Sequence, residues 1–75
     1  MASNTKTVRL ARLRRMCEDG TARTIRQSRG SSLREIARDA GTYPSTISRW
    51  ERGLRSPRGT EALAYLDVLE ELMAS

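Results

Sequence analysis

The stretch from Ser32 to Gly53 constrains this chain more than any other. Its few apolar residues fall at helical spacing in two groups. Ile36, Ala37 and Ala40 line one face of a first short helix; Ile47 and Trp50, three residues apart, line one face of a second. Gly41 stands between them, where glycine takes the positive φ of a helix C-terminus without the strain a side chain would bring. Ala37 is small, so the second helix can cross close to it. Ser32 and Glu35 have the spacing of a capping box, in which serine accepts a backbone N–H and glutamate reaches back to the cap. Pro44 suits the first turn of the second helix, where its missing N–H would be unpaired anyway.

Ile-Ala-Arg-Asp-Ala-Gly at 36–41, Ser-Thr-Ile-Ser-Arg-Trp-Glu-Arg-Gly at 45–53 and Ile25-Arg26 together resemble the Xre/Cro family of helix-turn-helix DNA-binding domains, over roughly residues 22–70. The resemblance implies an all-α, lambda-repressor-like bundle of four to five short helices, with the helix-turn-helix at 32–52. It also implies that Arg26 pairs with Glu51. The residues argue for the same structural pair: Glu51 follows the inward Trp50, a partly buried carboxylate needs a partner, and Arg26 adjoins the inward Ile25. The sequence departs from the family at two places. Leu33 stands where many members carry glutamine, so a phosphate contact attributed to that glutamine does not carry over. Tyr43 stands where a serine or threonine usually caps the second helix.

At 75 residues the chain makes one small domain with a modest core. It has no histidine and one cysteine, Cys17, which argues against a zinc module or an internal disulfide and fits a reducing cytoplasm. No cofactor, metal or small-molecule ligand is expected. No apolar run approaches a membrane span and no signal-peptide pattern is present, so a cytoplasmic, prokaryotic or phage-encoded protein is expected. Without histidine no nucleophile–base–acid set is available, and no glycine-rich phosphate loop appears; no catalytic residue is assigned and an enzyme is not expected.

Charge is segregated along the chain. All 14 basic residues, 13 of them arginine, fall within residues 1–58 against five acids; residues 59–75 carry four acids and no base. This predicts a side facing a polyanion and a side facing away from it. Arginine forks phosphates and guanine edges as lysine cannot. A G·C-rich genome would give the same Arg:Lys ratio but not the segregation.

Residues 1–6 are small and polar and are expected to be disordered, leaving a single domain over 7–75. An additional amphipathic helix is predicted over 7–18, capped by Thr5 or Thr7, with Leu10, Leu13, Met16 and Cys17 on one face. Its apolar face is expected to close the core. Its arginines are either solvated or contact DNA backbone, and the helix is alternatively a dimer element. Gly20 ends this helix and Asp19 or Thr21 caps the next, over 21–28; one continuous helix through Gly20 is the alternative, at a cost of about 1 kcal/mol.

With Ile47 and Trp50 facing inward, the second helix of the motif, from Tyr43 or Pro44 to Arg52, presents its other side outward. A helix this short offers its N-terminal residues to a major groove while the preceding helix crosses the backbone. Tyr43, Ser45, Thr46 and Arg49 are therefore the candidate base contacts, with Arg49 able to fork guanine. Ser32, Arg34, Ser48, Arg52, Arg55, Ser56 and Arg58 are the candidate phosphate contacts. The last four, Arg52, Arg55, Ser56 and Arg58, form a clamp at the end of the second helix and in the loop that Pro57 keeps from becoming helix.

The last helix is predicted over 59–74, with one stripe at Ala62, Leu63, Leu66, Leu69 and Met73 and a second at Tyr65, Val68 and Leu72. So wide a stripe exceeds what one small core usually covers. Either the same helix of a second subunit covers the excess, through Tyr65, Val68, Leu69 and Leu72, or the N-terminal helix does so within the chain. The acids of this helix should lie away from DNA. The expected function is sequence-specific binding of double-stranded DNA as a transcriptional regulator, a repressor acting as a homodimer on two half-sites. Two alternatives stand beside it: an antitoxin-like or adaptor interaction module, and an architectural or recombination accessory protein.

Overall fold

The computed structural model describes residues 5–75 and is all-helical over that range: α1 (Lys6–Glu18), α2 (Thr21–Ser28), α3 (Leu33–Ala40), α4 (Pro44–Glu51) and α5 (Gly59–Ala74). The expected disorder over 1–6 falls partly on residues 1–4, outside the described residues. For the other two it is corrected. The Thr5 side chain accepts the Val8 N–H at 3.3 Å and Lys6 begins α1, because a capped first turn costs little once Leu13 anchors the helix.

Local chemistry sets each boundary. Gly20 breaks the path between α1 and α2 at φ 86°, and the Asp19 carboxylate accepts the Thr21 N–H at 2.9 Å; hydrogen bonding from the Thr21 side chain first, and from that N–H second, holds its pKa below the ordinary value. The capping box at α3 is complete: Ser32 Oγ accepts the Glu35 N–H at 3.0 Å, and Glu35 Oε1 accepts the Ser32 N–H at 2.9 Å. Gly41, at φ 73° and ψ 33°, turns the chain so that Thr42 N–H donates to Ala37 O at 2.9 Å and α4 can start three residues on. Tyr43 occupies the cap of α4 with no side-chain hydrogen bond, and α4 ends at Glu51, one residue before the expected Arg52.

The core draws on every helix. Leu13, Met16 and Cys17 of α1 join Ala22 of α2, Ile36, Ala37 and Ala40 of α3, Ile47 and Trp50 of α4, and Ala62, Tyr65, Leu66 and Leu69 of α5. The helix-turn-helix pair α3–α4 packs together, and α5 lies against α1, α2 and α3. That enclosure corrects the expected subunit face. Tyr65 and Leu69 are fully buried in their own chain and offer no surface to a partner. Val68 and Leu72 are half-buried and pack against the same core. The wide stripe of α5 is wide because three helices cover it, α1 among them. Burial also pushes the Cys17 thiol up to about 12, so it is an inert core group rather than a nucleophile.

Two outcomes follow from this packing. Leu13→Ala should destabilise the domain by about 2–5 kcal/mol in urea unfolding, while Met73→Ala, on the exposed edge of α5, should stay within about 0.5 kcal/mol. The Glu35 pKa is lowered from 4.5, first by the Ser32 N–H it accepts. A depressed folded value means that its contribution is full above 4.5 and is lost as pH falls through the folded value. Glu35→Gln keeps the box but not the titration, so its urea midpoint should fall less steeply than the parent's on acidification below that pH.

Candidate nucleic-acid interface

One buried carboxylate fixes the position of α4. Glu51 is 3 % exposed in its side chain. It accepts Arg26 Nε at 2.8 Å on Oε2, Arg26 Nη2 at 2.9 Å on Oε1, and the Tyr65 hydroxyl at 3.0 Å on Oε2. The Arg26 fork also donates through Nη1 to Ser31 O at 3.1 Å. α2, α4, α5 and the start of α3 therefore meet at one point. The carboxylate raises the Arg26 pKa, chiefly by hydrogen bonding, and burial raises that of Tyr65, so both keep the protons they donate. The Tyr65 ring lies tilted against Trp50, with centroids 5.6 Å apart, which seals the apolar side of the network.

With Ile47 and Trp50 sealed, the other side of α4 faces out. Tyr43 is 72 % exposed, Ser45 and Arg49 are exposed, and Thr46 and Ser48 are half-buried. After α4, Gly53 N–H donates to Trp50 O at 3.1 Å and Leu54 N–H to Arg49 O at 2.9 Å, folding the chain back beside the helix. Thr46, Trp50, Arg55, Ser56, Arg58 and Glu61 then surround an open cleft of about 220 Å³. Four of the sequence-derived candidates thus share one concavity: Thr46 from α4, and Arg55, Ser56 and Arg58 from the loop. Arg52 is exposed at the C-cap of α4, and Ser32 and Arg34 are exposed at the start of α3. The Ser32 hydroxyl oxygen is taken by the capping box, which leaves its O–H proton to donate.

The fold redistributes the charge that the sequence segregates. Arg9 pairs with Asp67 and Glu70, and Arg12 pairs with Glu70 at 2.9 Å. Arg29 Nε donates to Leu72 O at 2.8 Å, and Arg14 Nε donates to Pro57 O at 3.0 Å. The acidic helix α5 therefore neutralises part of α1, and the exposed cations left on the α3–α4 side and its following loop include Arg34, Arg49, Arg52, Arg55 and Arg58. Sequence reasoning missed two residues here. Glu61, expected on the far side, lines the cleft because the loop brings the first turn of α5 round to α4. Arg14 reaches Pro57 across 43 positions, a contact with no local sequence signal.

Arg26→Met should cost about 3–5 kcal/mol in urea unfolding, because it leaves Glu51 buried without its cation. Arg12→Ala removes a pair open to solvent and should cost at most about 1 kcal/mol in the same assay.

The profile of the helix-turn-helix family matches residues 23–71, well over half of the chain and the whole of α3, α4 and the loop that follows. Helix α1 lies outside that match. No curated protein and no solved structure matches the chain. The match takes in the two-helix unit about Gly41, and the chain belongs to the helix-turn-helix family of the Xre and lambda Cro kind, as a DNA-binding transcription regulator.

Proposed function

We propose that the chain is a repressor that binds as a homodimer to an operator of two half-sites, each protomer setting α4 into a major groove. The observation that carries this reading is the division of α4. Ile47 and Trp50 are 0 % and 3 % exposed, whereas Ser45 and Arg49 stand free and Thr46 opens onto the cleft. Arg49 forks guanine O6 and N7, and Ser45, Thr46 and Tyr43 reach neighbouring base edges. Ser32, Arg34, Ser48, Arg52, Arg55, Ser56 and Arg58 take phosphates on either side and fix the register. A two-turn helix brings few side chains to bases, so selection of one site calls for two copies. Occupancy of a promoter is itself sufficient for repression. Tyr65 and Leu69 are buried in their own chain, so in this reading the dimer contact falls to the partly exposed apolar residues of α5, Leu63, Val68, Leu72 and Met73. The architectural reading rested on a free arginine-rich α1, and the adaptor reading on surplus apolar surface of α5. The ion pairs of Arg9 and Arg12 and the burial of Tyr65 weaken both.

Selection from a randomised duplex pool should enrich an inverted repeat with half-sites about one helical turn apart; salt-sensitive binding with no enriched site would sink the sequence-reading role. On the enriched site, Arg49→Ala should lose about 1–3 kcal/mol and relax preference at one base pair. Equal weakening on every duplex would make Arg49 a phosphate contact instead.

A further inference from the structure

We infer that Arg14, from the helix outside the family match, is a positioning residue for DNA binding that holds the loop carrying Arg55, Ser56 and Arg58. The inference rests on the phosphate-contacting role proposed above for that loop. The loop is tied at its start by the Gly53 and Leu54 amides and at its end by α5. Among the described residues, the backbone of 55–57 makes one hydrogen bond, and Arg14 Nε supplies it at Pro57 O, 3.0 Å away. Pro57 itself is buried, although its neighbours Ser56 and Arg58 are exposed. Arg14 is half-buried beside it, and the two wall a small hollow of about 40 Å³ floored by Cys17 and Trp50. The stem of Arg14 thus packs under the loop and its guanidinium holds the Pro57 carbonyl, one residue before the cap of α5. A flexible arginine-bearing loop must be ordered on binding, whereas one already pinned binds without that cost. Arg55 and Arg58 flank the pinned residue and both line the cleft, so the one tether holds the backbone from which both side chains extend.

The test is a double-mutant cycle read by fluorescence anisotropy on a labelled mixed-sequence duplex of about 30 base pairs, over a series of salt concentrations. The proteins are the parent, Arg14→Met, the pair Arg55→Ala with Arg58→Ala, and all three changes together. Arg14→Met keeps most of the buried stem and removes the donor. It should weaken binding roughly tenfold in the parent and lower the salt slope by about one, yet less than about twofold when Arg55 and Arg58 are already gone. Equal loss in both backgrounds would overturn the inference, since Arg14 would then act on DNA directly or through the whole fold. No loss in either would overturn it as well. If the Arg55 and Arg58 changes alone left affinity and slope unaltered, the loop's phosphate role would fall and the inference with it, a result distinct from the other two. Should circular dichroism find Arg14→Met unfolded, Arg14→Leu, which keeps a shorter apolar stem and carries no donor, takes its place in the cycle under the same criteria.

Discussion

The fold depends on the accommodation of one carboxylate in an apolar interior. Glu51 ends the helix that faces outward, yet its side chain is sealed from water. Isolated there, an ionised carboxylate would cost several kcal/mol. Arg26 and Tyr65 satisfy it from two different helices, Arg26 with a charge-assisted fork and Tyr65 with its hydroxyl. Because a guanidinium fork and a phenol must both reach the same group, α2 and α5 can sit against α4 in only a narrow range of positions. No buried side-chain polar atom among the described residues lacks a partner, so the network is complete rather than half-satisfied.

That constraint connects the interior to the outer surface. Fixing the end of α4 fixes Trp50, and Trp50 floors both the open cleft and the hollow beneath the loop. The outward residues Ser45 and Arg49 are then held by a rigid helix rather than by a loop, and Arg55, Ser56 and Arg58 follow on a segment folded back against that helix. Rigid presentation of base-reading groups, flanked by cations, is the arrangement a helix-turn-helix requires.

Helix α1 changes the account of charge. Read along the chain, the basic residues form one block and the acidic tail another. In space α1 lies on α5, and Arg9 and Arg12 meet Asp67 and Glu70. The Arg12–Glu70 pair, open to solvent, contributes little stability. The consequence of these pairs is electrostatic: they neutralise Arg9 and Arg12 on α1, while Arg34, Arg49, Arg52, Arg55 and Arg58 stay exposed on α3, α4 and the loop.

The sequence by itself determined the elements and the inner faces. Glycines 20 and 41, the Ser32–Glu35 box and Pro44 placed the helix boundaries, and the spacing of Ile36, Ala37, Ala40, Ile47 and Trp50 identified the faces that became buried. The Arg26–Glu51 pair was legible as well, from a carboxylate beside an inward tryptophan. These features act over one or two helical turns, so periodicity and capping chemistry reveal them. Only the tertiary structure decided what covers α5, where the acids of α5 find their partners, and that Arg14 reaches Pro57. Tyr65 and Leu69 could be read equally well as core or as subunit surface, because an apolar stripe reveals that it must be covered and not by what. Such contacts join residues some 43 to 61 positions apart, and their partners are chosen by how the helices pack rather than by any local pattern.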